Sequence, residues 1–209
     1  MVVGVADHNG WAIFVCVSAQ DGSPEAVDRR RVELLKPGLP NQPYEHETHG
    51  LSTAEAERLV LEVRESALNC AERALSRLRS SLESSPGARR EIVSIALRAA
   101  TLPRLPGSVA EAHASRPVML RADGMLYHDA LCTTAASLGI SVATFPRGEE
   151  RSRAAEAMAT TAEHLDRFLS GLRASLGAPW QQDHQTAAAR AIAALGRYTP
   201  LQLHNPRKP

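Results

Sequence analysis

Apolar and polar positions alternate over short distances at the start of the chain, in the pattern of three β-strands. Asn9-Gly10 separates the first two apolar runs and is typical of a two-residue hairpin turn. Asp21-Gly22 marks a second turn, and the run Arg29-Arg30-Arg31 indicates that the third strand lies partly exposed at a sheet edge. The pattern predicts a three-stranded antiparallel meander over residues 2–7, 11–19 and 26–36.

Beyond a proline-rich connection, the apolar positions change to helical spacing. Ser52 and Glu55 form a capping-box pattern, and Val60, Val63 and Ala67 recur every three or four positions behind it. Apolar runs and helical spacing predict the remaining elements. They are a helix over 53–84, a strand over 91–100, a helix over 119–138, a strand over 140–145, helices over 150–176 and 180–197, and a loop-like tail over 198–209.

The predicted order of elements is β-β-β-α-β-α-β-α-α. A meander followed by alternating helices and strands favours an α/β fold with a mixed five-stranded sheet and helices on both faces. At 209 residues the chain has the length of one domain with a full core, so we expect residues 1–209 to form a single domain.

Composition narrows the functional classes only slightly. There are 24 basic and 23 acidic residues, so bulk charge gives no electrostatic indication of nucleic-acid binding. Cys16, Cys70 and Cys132 lie far apart among apolar residues and are expected to be buried free thiols in a reducing compartment. Because the sequence shows neither a signal-peptide pattern nor an apolar run of about 18 residues, we expect a cytoplasmic protein without a membrane span.

Acidic and histidine side chains group at three places along the chain. The groups are Asp7-His8, the segment Glu45-His46-Glu47-Thr48-His49, and Asp183-His184. Carboxylates suit Mg²⁺, whereas added histidines favour Mn²⁺, Zn²⁺ or iron. The simpler alternatives are turn chemistry for the first group, a solvated helix-capping loop for the second, and an acid that suits the helix dipole for the third.

Other charged and aromatic residues carry weaker signals. His128-Asp129, on a predicted helix, is interpreted as a surface pair. The arginines of the third strand are interpreted as solvated first and as contacts to backbone phosphates second. Trp11 and Trp180 are interpreted as packing anchors rather than platforms for nucleobases.

The element order and the position of Asp7 together resemble the ribonuclease-H-like superfamily, particularly its RuvC-type and transposase-like branches. In that family an aspartate stands on the first strand just before a hairpin, as Asp7 does here, and carboxylates hold two divalent ions while water attacks a phosphodiester. The resemblance implies a nuclease or phosphodiesterase that uses Mg²⁺ or Mn²⁺, with nucleic acid as a possible partner. The implied catalytic residues are Asp7, Glu47, Asp183 and His184, the last binding metal or moving protons. The implied metal ligands are Asp7, Glu45, Glu47, His49, Asp183 and His184.

The sequence also departs from the family pattern at two positions. The fourth strand ends in Arg98-Ala99-Ala100-Thr101, where the family often has an acid. In the last helix His184 matches the histidine of the His-x-x-Asp-Ala pattern, but Ala187 stands in place of the aspartate, and Asp183 is a nearby substitute. A catalytically inactive binding or scaffold module is therefore the alternative function. A nucleotide-binding relative of the actin-like ATPases is a second alternative, supported only by the opening hairpin.

Overall fold

A computed structural model describes residues 1–48, 50–84 and 91–202. The strands are β1 (Val2–His8), β2 (Trp11–Gln20), β3 (Ser23–Glu33), β4 (Ser94–Arg98) and β5 (Ser141–Phe145). The helices are α1 (Thr53–Glu83), α2 (Val109–His113), α3 (Arg116–Ser137), α4 (Glu150–Ala157), α5 (Ala162–Leu176) and α6 (Gln182–Leu195). A π-helical turn spans Pro43–Glu47.

The five strands form one mixed sheet in the order β3-β2-β1-β4-β5. The β1–β2 and β2–β3 pairs are antiparallel, and the β1–β4 and β4–β5 pairs are parallel. Gly10 takes the positive φ of 87° that the β1–β2 turn needs, as the Asn9-Gly10 signal indicates. The predicted fold class is confirmed, and β3 lies at an edge as its arginine run indicates.

The period-two alternation of β1 divides the core between the two faces of the sheet. Val3 and Val5 pack with α1 and α3 on one face. Val2 and Ala6 pack with α4, α5 and α6 on the other. The apolar positions of α1 that the sequence shows at helical spacing are buried, so this face forms as its pattern predicts.

Helix α6 approaches β1 unusually closely because both surfaces carry almost no side chain. A Cβ atom placed on Gly4 would lie 1.7 Å from the carbonyl oxygen of Ala187. Ala187, Ala188 and Ala191 are fully buried at this contact. Gly4 therefore serves helix–strand packing and not a phosphate-binding loop, and the contact sets the start of α6 beside the end of β1.

Several predicted boundaries are wrong. The single helix expected over 150–176 is two helices, since Ala159 adopts a φ of 47° and Thr161 caps α5 by accepting the backbone N–H of His164. β3 begins at Ser23 and ends at Glu33, in each case three residues earlier than the strand predicted over 26–36, and β4 begins at Ser94, three residues later than predicted. Helix α3 begins at Arg116, earlier than predicted, with a proline in its first turn, where proline is tolerated.

The start of the predicted C-terminal tail contacts the sheet. Leu201 is buried, and the backbone N–H of Gln202 donates to Gly22 O, so the start of the predicted tail packs on the β2–β3 turn. Residues 203–209 of that tail lie outside the described residues.

Cys16 and Cys70 are buried and Cys132 is half-buried, and all three are free thiols. Among the residues described, no helix has the length and apolar character to cross a bilayer.

Candidate functional site

Asp7 lies at the end of β1 with its side chain enclosed. Only 1% of that side chain is exposed. The Nε atom of Arg98 donates a hydrogen bond to Asp7 Oδ2 at 3.1 Å. Arg98 is the last residue of β4. Because β4 runs parallel to β1, the C-terminal ends of both strands lie at the same end of the sheet. The strand end at which the resemblance implies a second acid therefore presents a cation to Asp7.

Two further side chains complete what we call the Asp7 cluster, which consists of Asp7, Arg98, His128 and Arg190. The Nδ1 atom of His128 on α3 lies 3.9 Å from Asp7 Oδ2. Arg190 on α6 donates from Nη1 to the carbonyl oxygen of Val5 at 2.7 Å. His128 is 4% exposed and Arg190 is 5% exposed. The interpretation of His128 as a surface residue is wrong, because α3 turns its ring toward the end of β1.

Burial sets the protonation of this cluster. It lowers the pKa of His128, and the nearby Asp7 carboxylate opposes that effect. Burial also lowers the pKa of Arg190, again opposed by Asp7, but a guanidinium keeps its proton in proteins. At neutral pH the cluster holds one carboxylate, two guanidinium groups and a neutral imidazole, so its net charge is positive.

The cluster has hydrogen-bonding capacity that the protein does not use. Asp7 Oδ1, His128 Nδ1 and Arg190 Nε are shielded from solvent, and none has a hydrogen-bond partner among the described residues. Buried polar atoms in folded proteins are nearly always paired. Three such atoms on neighbouring groups mark this end of the sheet as a polar site rather than as ordinary core.

Gly124 on α3 has no side chain, and the Arg98 guanidinium lies in the space beside it. A Cβ atom there would lie 3.2 Å from Arg98 Nη2 and 3.5 Å from Asn9 Oδ1. The neighbouring Asp123 is buried and accepts the backbone N–H groups of Tyr44 at 2.9 Å and Glu45 at 3.1 Å. Helix α3 thus supports the cluster and also fixes the π-helical turn.

The predicted ligands in that turn are held through main-chain contacts. Glu45 is half-buried and is held through its backbone N–H on Asp123, and Glu47 is exposed at the end of the turn. His49 lies outside the described residues. The two hydrogen bonds to Asp123 therefore anchor this turn to α3.

Asp183 and His184 occupy the first turn of α6 and have different surroundings. Asp183 Oδ2 lies 3.2 Å from His8 Nε2, within ion-pair distance but without hydrogen-bond alignment. His184 is buried, and its Nδ1 accepts the backbone N–H of Gln181 at 3.2 Å. Burial, followed by the charge of Arg29, lowers the pKa of His184, so its imidazole is a neutral helix cap.

A stack of side chains crosses the sheet on the same side as Asp183. The ring of His8 stacks on Trp11 with centroids 4.0 Å apart and planes 9° apart. The guanidinium carbon of Arg31 lies 3.9 Å from the centre of the Trp11 ring. Since two groups at this distance need opposite faces of the ring, both faces of Trp11 are covered. Trp11 therefore serves as a packing anchor, as its interpretation from the sequence states.

The residues around Asp7 do not fit a divalent cation. One oxygen of Asp7 already accepts from Arg98, and Arg190 adds a second positive charge close by. Over residues 1–48, 50–84 and 91–202, no three His, Cys, Asp or Glu side chains come together in a way that could hold a metal ion. The described members of the predicted metal set, Asp7, Glu45, Glu47, Asp183 and His184, are therefore not assembled into one ligand group.

Sequence reasoning missed the two arginines of the cluster, although both carry a signal. Arg98 stands near the position where the family often has an acid, and it ends a strand that is predicted to lie in the same sheet as β1. Arg190 is the only charged residue between Ala187 and Leu195, in a stretch where every residue is buried. A lone charge within a buried alanine-rich helix indicates a specific buried partner.

Comparison with known proteins establishes the fold. No protein-family model matches this sequence, and no curated protein does. A Thermus thermophilus RuvC structure matches with a TM-score of 0.50 at 13% identity, covering 94% of each chain. The T. thermophilus RuvC structure in complex with Holliday junction substrate matches with a TM-score of 0.50 at 12% identity, covering 94% of this chain and 93% of that chain. The chain therefore has the ribonuclease-H-like fold of RuvC, as its resemblance implied.

Proposed function

We propose that this protein binds nucleic acid on a RuvC-like fold and does not cleave it by two-metal chemistry. The observation that carries the proposal is the 3.1 Å hydrogen bond from Arg98 Nε to Asp7 Oδ2. Two-metal hydrolysis needs carboxylate oxygens free to bind ions. A guanidinium is always charged, so Arg98 competes with a metal ion for the same carboxylate.

The fold and the charge of the cluster support nucleic acid as the partner. One of the matched structures is RuvC in complex with Holliday junction substrate, and the two chains share their fold over nearly their whole length. Nucleic-acid binding depends on neutralising phosphates with arginine and lysine. The Arg98 side chain is 25% exposed at the end of the sheet, so part of its guanidinium is accessible to a phosphate.

A metal-dependent nuclease is the second candidate, and one observation favours it. Asp7 and Asp183 both lie close enough to Arg190 to act on its charge, so two of the predicted acids share one end of the sheet. In this candidate, bound nucleic acid or metal would displace Arg98 from Asp7. The nucleotide-binding alternative gains no support, since Gly4 lies under α6.

A binding and cleavage experiment separates these candidates. Fluorescence anisotropy would measure the affinity for labelled single-stranded DNA, duplex DNA, four-way junction DNA and RNA, first in EDTA and then in Mg²⁺ or Mn²⁺, with denaturing gels run on the same samples. We expect salt-dependent binding in EDTA and intact substrate in every sample.

Two results would contradict the proposal. Cleavage that requires Mg²⁺ or Mn²⁺ and disappears in the Asp7→Asn variant would establish the nuclease. Failure of the wild-type protein to bind any of the four substrates at low salt would reject nucleic acid as the partner. Asp7→Asn is the suitable variant because it keeps the shape of the side chain while it removes the charge.

A further inference from the structure

A basic groove lies between the edge strand β3 and helix α1, away from the Asp7 cluster. It has a volume of about 430 Å³. Its charged lining residues are Arg30, Arg31, Glu33, Lys36, Arg73 and Arg77. Five of these six residues are basic, although the protein as a whole is nearly neutral, and one of the five, Arg31, has its guanidinium over the Trp11 ring. We call this feature the β3–α1 groove.

The positive charge of the groove is only partly compensated. Arg31 donates to Glu33 Oε1 at 2.9 Å, and Arg30 pairs with Asp28. The remaining three, Lys36, Arg73 and Arg77, are exposed and have no carboxylate partner in the part of the chain that the structure describes. An uncompensated positive surface of this kind attracts a polyanion.

The two α1 arginines are spaced as neighbours along one side of the groove. Arg73 and Arg77 are four residues apart, so they lie on the same face of the helix, about 6 Å from each other along its axis. The Nη2 atom of Arg73 donates to Cys70 Sγ at 2.9 Å, so this guanidinium is held beside α1 at the groove. Neither guanidinium is needed for packing, because both side chains are exposed.

The groove continues toward the Asp7 end of the sheet. A second depression of about 450 Å³ shares Arg31 and Lys36 with it and extends to Asn9 and Asn41. Asn9 stands beside Gly124 and hence beside the Arg98 guanidinium. A strand lying in the groove would therefore be led to the cluster that the proposed function identifies.

We infer that the β3–α1 groove binds the phosphodiester backbone of a nucleic-acid strand and directs that strand toward Asp7. This inference rests on the proposed function and deepens it by naming the surface that makes the contact. The groove contacts the backbone and not the bases, because no aromatic residue is among the described residues that line it, and Trp11 in the adjoining depression has both ring faces covered by His8 and Arg31.

The test compares two double variants that remove the same charge. Arg73→Gln/Arg77→Gln changes the groove, and Arg167→Gln/Arg173→Gln changes two exposed arginines of α5, on the opposite face of the sheet. Anisotropy in EDTA would measure the affinity of both and of the wild type for single-stranded and duplex DNA. Thermal unfolding would be measured in parallel to establish that both variants are folded.

We expect the groove variant to lose roughly tenfold or more in affinity and the α5 variant to change by less than about twofold. Two lost phosphate contacts should also lower the slope of log K against log salt, by about 1.4 for single-stranded DNA and about 1.8 for duplex DNA. A slope change of this size for either DNA would show that the two arginines contact phosphates.

Three outcomes would decide against the inference. If the wild type binds nucleic acid and both double variants bind it as tightly as the wild type does, the groove is not the binding surface, while the proposed function stands. If polyglutamate competes as effectively as nucleic acid of equal charge, the groove is a general polyanion surface and the inference fails. If the wild type binds no nucleic acid at all, the proposed function fails first and the inference fails with it.

Discussion

Two arginine-rich regions of this molecule differ in what surrounds the positive charge. In the Asp7 cluster, Arg98 and Arg190 face a buried carboxylate and a backbone carbonyl. In the β3–α1 groove, Arg73 and Arg77 are exposed and have no carboxylate partner among the described residues. Burying a charge is costly unless it is paired, so the first two arginines are held by groups inside the fold, whereas the second two are available to a partner.

The difference also explains why the two regions need separate experiments. A substitution in the cluster changes stability and binding together, because the same groups hold the end of the sheet. A substitution in the groove removes a charge from the surface and leaves the core intact. Four predictions follow this contrast, in order of decreasing effect.

Arg190→Ala has the largest expected effect. It leaves the Val5 carbonyl without its donor and removes a positive charge close to buried Asp7, so we expect a loss of about 3 kcal/mol in the free energy of unfolding. Denaturant unfolding measures this loss, with the exposed Arg173→Ala as the matched control. A loss equal to that of the control would show that buried Arg190 contributes no more to stability than an exposed arginine does. The cluster and the groove would then not differ in this respect.

A double variant sharpens the same prediction. Asp7→Asn combined with Arg190→Met removes both charges and keeps apolar volume in place of the guanidinium stem. We expect the double variant to cost less than the two single substitutions added together, because each single substitution keeps one buried charge of Asp7 and Arg190 while the double variant removes both. Arg98 keeps its charge in all of these variants, but its side chain is partly exposed. Simple additivity in the unfolding free energies would indicate that the two residues do not interact.

Arg98→Glu replaces the cation next to Asp7 with the acid that the resemblance implies at this strand end. In the absence of metal we expect a loss of about 2 kcal/mol, because two carboxylates then lie together at a buried site. Mn²⁺ should recover stability in this variant alone, by about 2.7 kcal/mol at a concentration one hundred times its Kd. Thermal unfolding with and without Mn²⁺ measures both effects. If Mn²⁺ stabilised the wild type by the same amount, Arg98 would not be what keeps a metal ion from Asp7.

The stability of the protein should fall in mild acid because of His128. Its pKa is lowered in the fold by burial, aided by Arg98 and Arg190 and opposed by Asp7 and Asp129. Above the unfolded value of about 6.5 both states are neutral, whereas between that value and the lower folded pKa only the unfolded state binds the proton. Unfolding therefore becomes easier as pH falls below about 6.5, by at most about 1.4 kcal/mol per pH unit for each such histidine.

The control for the pH prediction is His128→Gln. It should reduce the pH dependence without abolishing it, because burial lowers the pKa of His184 in the same direction. Unfolding free energies between pH 5 and pH 8 measure the difference. An unchanged slope in the variant would show that His128 does not titrate differently in the folded and unfolded states.

Arg77→Gln has the smallest expected effect on stability. The side chain is exposed and has no ion-pair partner among the residues that the structure describes, so the free energy of unfolding should change by less than about 0.5 kcal/mol. The affinity for nucleic acid should fall in the same variant. A large loss of stability would mean that the groove arginines, like those of the cluster, serve the fold.

Much of the architecture was predictable because it depends on local patterns. The period-two alternation and the Asn9-Gly10 turn predict the meander, and the helical spacing after Ser52 predicts α1, whose capping box is present. The break between α4 and α5 was not predictable in the same way, since it depends on the positive φ of Ala159, a residue with good helix propensity.

The candidate site was only partly predictable because its members are distant in sequence. Asp7 was identified from its position before a hairpin, and it is buried at the end of β1. Its partner Arg98 is 91 residues away in the chain, and the donor Arg190 is 185 residues from its acceptor Val5. Neither spacing leaves a local pattern.

The sequence by itself therefore determined the strands, most of the helices, the fold class and the place of Asp7, because these depend on hydrophobic periodicity and turn chemistry over a few residues. Only the tertiary structure decided what Asp7 contacts. Whether a carboxylate binds a metal ion or a guanidinium depends on which side chains the parallel pairing of β1 with β4 and the close packing of α6 on Gly4 bring within about 3–4 Å of it. Here those side chains are Arg98 and His128, so the same acid that indicates a nuclease in the sequence belongs to an ion-pair cluster in the fold.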